Sequence, residues 1–109
     1  MDNEKRKYKR VYGVFHVRLR LDVIASFEFE CISKDISEGG MRLLIEKRLL
    51  PETEVSISFD LPQNLGSLDV KGEVVWIAPS HDEEGMFETG IRFTNLEDYQ
   101  RLILRKYIK

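Results

Sequence analysis

Apolar and polar residues alternate along most of this chain with a period of two, the signature of half-buried β-strands. From Tyr12 to Leu21, Phe15, Val17, Leu19 and Leu21 interleave with His16, Arg18 and Arg20. Phe27, Phe29 and Cys31 interleave with Glu28 and Glu30 in a second strand that gives way to a turn near Ser33-Lys34-Asp35. Met41, Leu43 and Ile45 mark a third strand leaving Gly39-Gly40, and Val55, Ile57, Phe59 and Leu61 a fourth after Pro51-Glu52. Beyond the loop Pro62 to Ser67, a long fifth strand carries Leu68, Val70, Gly72, Val74 and Trp76 on one face. That register assigns Trp76 to the core, and Gly72 is the expected bend that helps the sheet curl. A polar hairpin, Pro79 to Gly85, leads to a sixth strand with Phe87, Thr89, Ile91 and Phe93.

The period changes after Thr94. Its hydroxyl is placed to cap a helix, with Glu97 three residues on completing the reciprocal pattern. Leu96, Tyr99, Leu102, Ile103 and Tyr107 recur at spacings of three and four and define the expected apolar face, leaving Leu104 and Ile108 partly exposed. Six antiparallel strands in so short a chain must protect their edges, and closing the sheet does so. The expected fold class is all-β: a six-stranded antiparallel barrel with a C-terminal α-helix.

The 109 residues suffice for one hydrophobic core. The expected organisation is therefore a single domain: a flexible basic arm over 1–11, the barrel over 12–94 and the helix over 95–109. A hydrophobic fraction of 42% with 33% charged residues is that of a globular domain rather than a disordered chain. No apolar run reaches the roughly 18 residues of a membrane span, and residues 1–5 lack the apolar stretch of a secretory signal, so the expected location is the cytoplasm. Cys31 is the single cysteine, which excludes an internal disulfide and is expected as a buried thiol. His16 and His81 have no ligand partners at metal-binding spacing, and no metal is expected.

Charge is distributed unevenly. Lys5, Arg6, Lys7, Lys9 and Arg10 place five positive charges within six residues, and without them the net charge of −2 becomes −7. A basic segment on an acidic body points to a local anion site and away from long polyanions, which bind best to an extended positive face. By itself, such a segment is equally well a solvated tail.

Two spacings sharpen this picture. Arg6 and Arg10 form R-x-x-x-R ahead of the first strand, and Asp35-Ile36-Ser37-Glu38-Gly39-Gly40 forms D-x-S-x-x-G between the second and third. Each alone is a weak motif. In this order, followed by Gly72-Glu73-Val74-Val75-Trp76 and Thr89-Gly90-Ile91-Arg92-Phe93, the chain resembles the PilZ domain family over roughly residues 5 to 107. The resemblance implies a receptor for cyclic di-GMP that is not an enzyme. Its implied ligand residues are Arg6, Arg10, Asp35, Ser37 and Gly40, with Lys5, Lys9 and Gly39 as weaker candidates.

The chemistry suits that ligand. A guanidinium donates twice to a phosphate or to a guanine O6/N7 edge, and its flat face stacks on a purine. Asp35 has the acceptors for guanine N1 and N2, Ser37 a hydroxyl for base or phosphate, and Gly40 permits close approach. Asp35 and Ser37 also suit a purely local role, bonding the amides of their own turn. Lys5 stands where many members of the family carry another arginine, which favours one bound ligand over a stacked pair. The expected output is a change in the arm and surface that is passed to an effector protein or fused domain. The alternatives are a PilZ-like adaptor acting by protein contacts without nucleotide, and an oligonucleotide-binding barrel. Catalysis lacks a base near Ser37.

Overall fold

The alternation drives the sheet to close on itself, because each strand then buries its apolar face and no edge stays open. The computed structural model describes residues 10–22, 28–62 and 64–108, giving the backbone alone for 10–15. Its strands are β1 (Arg10–Leu21), β2 (Glu28–Ser37), β3 (Gly40–Ile45), β4 (Glu54–Leu61), β5 (Gly66–Pro79) and β6 (Phe87–Phe93), followed by the helix α1 (Asp98–Ile108). They form a closed antiparallel barrel in the order β1-β2-β3-β6-β5-β4. The anticipated barrel and terminal helix are both present. β1 begins at Arg10, ahead of the expected Tyr12, and α1 begins at Asp98 instead of 95.

The inward residues are largely those the alternation selects. Val17, Leu19, Leu43, Ile45, Val55, Ile57, Val70, Val74 and Ile91 are buried in one cluster, each such side chain contributing roughly 1.5–3 kcal/mol when withdrawn from water. Cys31 is buried in β2 with its thiol pushed up to about 12 by desolvation.

Strand irregularities change the picture at two places that matter for function. β2 shifts register against β3 between Ser33 and Asp35, so Lys34 is an extra residue. Ser33 lies inside, but past this bulge the inward position passes to Ile36, and Asp35 turns toward Arg42. β5 shifts register against β6 between Val74 and Trp76, with Val75 as the extra residue. This overturns the expectation that Trp76 packs in the core: the bulge carries it to the outer face, where it is 43% exposed. Gly72, by contrast, pairs regularly with Val55 and Phe93, and the irregularity falls at Val75.

The helix also departs from the sequence expectation. Its N-terminal bond runs from the Glu97 amide to Gln100 Oε1 (3.0 Å), the backward half of a capping box placed one turn later than Thr94 and Glu97. Gln100 is buried and its Nε2 donates to the Asp69 carbonyl at 2.7 Å, pinning the helix to β5. With about 100° between successive residues, Gln100, Leu104, Tyr107 and Ile108 share the inward stripe. Leu104 is fully buried and Ile108 packs on the core, contrary to expectation, whereas Tyr99 and Leu102 are 59% and 57% exposed. A polar residue with two specific partners occupies the middle of the stripe, and an apolar count therefore places its centre wrongly.

Candidate ligand site

The β2–β3 turn is shaped by Ser37. Its Oγ accepts from the amides of Gly39 (3.1 Å) and Gly40 (3.3 Å) and makes a long donation to the Gly40 carbonyl (3.4 Å). One hydroxyl proton and two lone pairs are thereby engaged within the turn, the local role that such a motif allows. The Gly39 carbonyl accepts from the Phe93 amide at 2.9 Å, binding the turn to β6. Gly40 then enters β3 opposite Arg92, so close to β6 that a Cβ there would lie 2.0 Å from the Ile91 carbonyl oxygen. Absence of a side chain at position 40 is thus a packing requirement of the barrel.

Asp35, almost wholly buried, pairs with Arg42, Nη2 to Oδ2 at 3.2 Å. Arg42 Nη1 reaches Glu88 Oε1 at 3.4 Å, and Lys34 Nζ lies 3.7 Å from Glu88 Oε2. The result is a row of alternating charges across the outer face of β2, β3 and β6. Within this row Asp35 meets Arg42, a residue that sequence reasoning did not single out. Its only sequence signal is a charged residue at an outward position of β3, directly after the motif.

Beside the turn lies a cleft of about 650 Å³, within the roughly 300–1,000 Å³ range of small-molecule sites. One side is formed by Asp35, Ser37, Gly39, Gly40 and Arg42, bringing together every D-x-S-x-x-G residue identified in the sequence. The other side is formed by Trp76 of β5, Arg92 of β6 and Arg101 of α1. Trp76 owes its place to the β5 bulge and to Gly90: a Cβ at position 90 would lie 2.2 Å from the indole Nε1. No residue pattern announces that bulge, which explains why the alternation assigns Trp76 to the core.

The two arginines of R-x-x-x-R are placed unequally. Arg10 begins β1 with its backbone directly opposite Ser37 in the β1–β2 ladder, and Tyr12 is opposite Asp35. Arg6, Lys5 and Lys9 lie outside the described residues, as do residues 1–9 of the arm expected over 1–11, whose last two residues, Arg10 and Val11, belong to β1. The chain therefore enters the barrel on the strand bordering the motif turn. Among the described residues, no three of His, Cys, Asp or Glu are grouped so as to hold a metal ion, and no helix is long and apolar enough to cross a membrane.

Comparison with known proteins places this architecture. The sequence model of the PilZ domain matches residues 4–109. None of the curated proteins matches the chain. Among solved structures, the Bacillus subtilis inhibitor of motility (MotI/DgrA) superposes with a TM-score of 0.81 at 17% identity, covering 95% of this chain and 49% of that one. This chain thus spans about half the length of the Bacillus protein. The PilZ domain of YcgR from Escherichia coli, solved with c-di-GMP, superposes with a TM-score of 0.74 at 18% identity, covering 95% and 88% of the two chains. PlzA of Borreliella burgdorferi, solved in complex with c-di-GMP, gives 0.67 at 14% identity, covering 96% and 41%. At these identities the superpositions speak for the fold, and the match of the domain model over nearly the whole length shows that the chain belongs to the PilZ domain family.

Proposed function

We propose that this chain is a cyclic di-GMP receptor domain in which Arg6 and Arg10 close over the cleft beside the β2–β3 turn. The observation that carries this reading is the register of β1: at the start of this strand the Arg10 backbone pairs with Ser37, itself a residue of the cleft. Membership of the PilZ family and the two c-di-GMP-bound superposing structures support the choice of ligand. In this reading Arg6 and Arg10 supply forked donors to phosphate and guanine edges, with Lys5 and Lys9 adding charge. Asp35, aligned by Arg42, accepts from guanine N1 and N2; a carboxylate has about four acceptor positions and serves both. Ser37 replaces its long bond to the Gly40 carbonyl with one to the ligand, and Gly39 and Gly40 keep the turn low enough for a purine to approach. Trp76 adds a stacking face to this set, worth roughly 1–3 kcal/mol per base.

Signalling follows from the same geometry. Ligand that binds the closed arm better than the open one shifts the equilibrium between them, and the altered surface is what an effector protein or fused domain reads. No step in this scheme makes or breaks a covalent bond.

Calorimetric titration of the full chain with cyclic di-GMP tests the reading. Binding is expected in the micromolar range or tighter, a total of about −8 kcal/mol or more. Arg6→Ala and Arg10→Ala should each weaken it at least about tenfold, a loss of roughly 1.4 kcal/mol. Titrations unchanged by both substitutions would remove the arm from the site. No heat with the parent chain, and no shift of its melting curve in excess ligand, would leave an adaptor that works through protein contacts alone.

A further inference from the structure

Three arginines from three different elements line the cleft, and they differ in how far their charge is already compensated. Arg42 is held between two carboxylates, Asp35 and Glu88, and Arg92 is paired with Glu73. Arg101, on α1, has a different environment. Its Nη2 donates to the Leu96 carbonyl at 3.2 Å, and its nearest carboxylate, Glu38, is 4.0 Å from Nη1. That carboxylate is already engaged: Arg105 Nε donates to the same Glu38 oxygen at 2.7 Å. One negative charge thus serves two guanidinium groups, and the closer contact belongs to Arg105. The excess positive charge of the cleft wall resides on Arg101, which is 36% exposed and has five N–H donors on its guanidinium.

Its location adds a second argument. Glu38 is the residue between Ser37 and Gly39, so the ion pair with Arg105 fixes α1 directly to the motif turn. Arg10 approaches that turn from β1, whereas Arg101 borders the cleft from the helix. A ligand with two phosphodiester groups presents anions in two directions, and Arg101 stands on a different element from the strand that carries Arg10.

We infer that Arg101 is a phosphate-binding residue of the site, so that the C-terminal helix forms one wall of the bound ligand's pocket. This rests on the cyclic di-GMP reading and extends it to an element that neither motif contains. It also makes α1 responsive to occupancy, because the guanidinium that contacts the phosphate is anchored within two turns of helix by Leu96 and by the Glu38 link.

The test is a set of calorimetric titrations of the full chain with cyclic di-GMP over a series of salt concentrations. Arg101→Ala is expected to bind about tenfold more weakly than the parent, and Arg101→Lys to recover most of that loss. The affinity of Arg101→Ala should fall less steeply with added salt, since one charge contact is gone; a merely structural loss would lower affinity by the same factor at every salt concentration. Should Arg101→Ala melt early, the lysine variant and its salt slope decide the matter. Parent-like affinity in Arg101→Ala, within twofold, alongside a large loss in Arg10→Ala, would overturn the role of Arg101 while leaving the ligand assignment intact. A parent chain that does not bind at all would overturn both.

Discussion

Trp76 occupies the space that any side chain at position 90 would need, its indole Nε1 lying 2.2 Å from where a Cβ of Gly90 would stand. Two unrelated sequence features, a bulge in β5 and a glycine in β6, combine to hold one aromatic ring at the edge of the cleft.

Gly90→Ala is therefore expected to push the ring from its seat. As Trp76 is the single tryptophan, its fluorescence reports both this displacement and ligand binding. Emission of the parent should change on addition of cyclic di-GMP, and Trp76→Ala should weaken binding about tenfold, as loss of one stacking contact does. Fluorescence indifferent to saturating ligand would place the indole outside the contact surface.

Gly40→Ala should be damaging for a reason separate from ligand binding. The added methyl meets the Ile91 carbonyl, a backbone atom that cannot swing aside, and β3 must separate from β6. A loss of roughly 3 kcal/mol is expected, at the upper end of overpacking costs, and urea unfolding without ligand measures it. An alanine variant as stable as the parent would assign this glycine to the ligand alone.

The Cys31 thiol carries a pH dependence. Burial pushes it up to about 12 from an ordinary 9.0, which means that the folded chain keeps a proton the unfolded chain has lost between those values. Fewer protons bound by the unfolded state make stability fall as pH rises through about 9 and on toward 12. Urea midpoints measured at pH 8 and pH 10 should converge on a smaller difference in Cys31→Ala. The folded chain should also resist alkylation at pH 8, since the thiolate is the reactive form.

Thr89 Oγ1 is buried within the barrel and has no hydrogen-bond partner among the described residues. Valine has nearly the same shape and no polar atom to satisfy. Thr89→Val is expected to stabilise the chain by about 1 kcal/mol, visible as a rise of several degrees in the melting temperature. A lower melting temperature would mean that the hydroxyl is satisfied in solution.

Much of the barrel is legible in the residue pattern. Alternation at Val17-Leu19-Leu21, Val55-Ile57-Phe59-Leu61 and Thr89-Ile91-Phe93 selects inward positions that the structure buries. The motif turn is legible too, because Asp35, Ser37 and Gly40 stand close together in sequence and their grouping in the cleft needs no long-range information. Where the alternation misleads, a bulge or a partnered polar residue intervenes. Val75 reverses the facing of Trp76, and Gln100 takes the centre of the helix stripe because the Asp69 carbonyl and the Glu97 amide satisfy it.

The residue order alone determined six strands, a terminal helix, the D-x-S-x-x-G turn and a basic segment ahead of the first strand, since each is specified by neighbours a few positions apart. Only the tertiary structure decided which charges meet: Asp35 with Arg42, Glu38 with Arg105, and Arg101 beside the turn although it stands about 60 positions after Gly40, the last residue of the motif.

 Contacts of that kind depend on strand order, on the placement of bulges and on where the helix docks. Those features are set by the closure of the whole sheet, because a ladder must satisfy all its backbone groups at once, and no short window of sequence contains that condition.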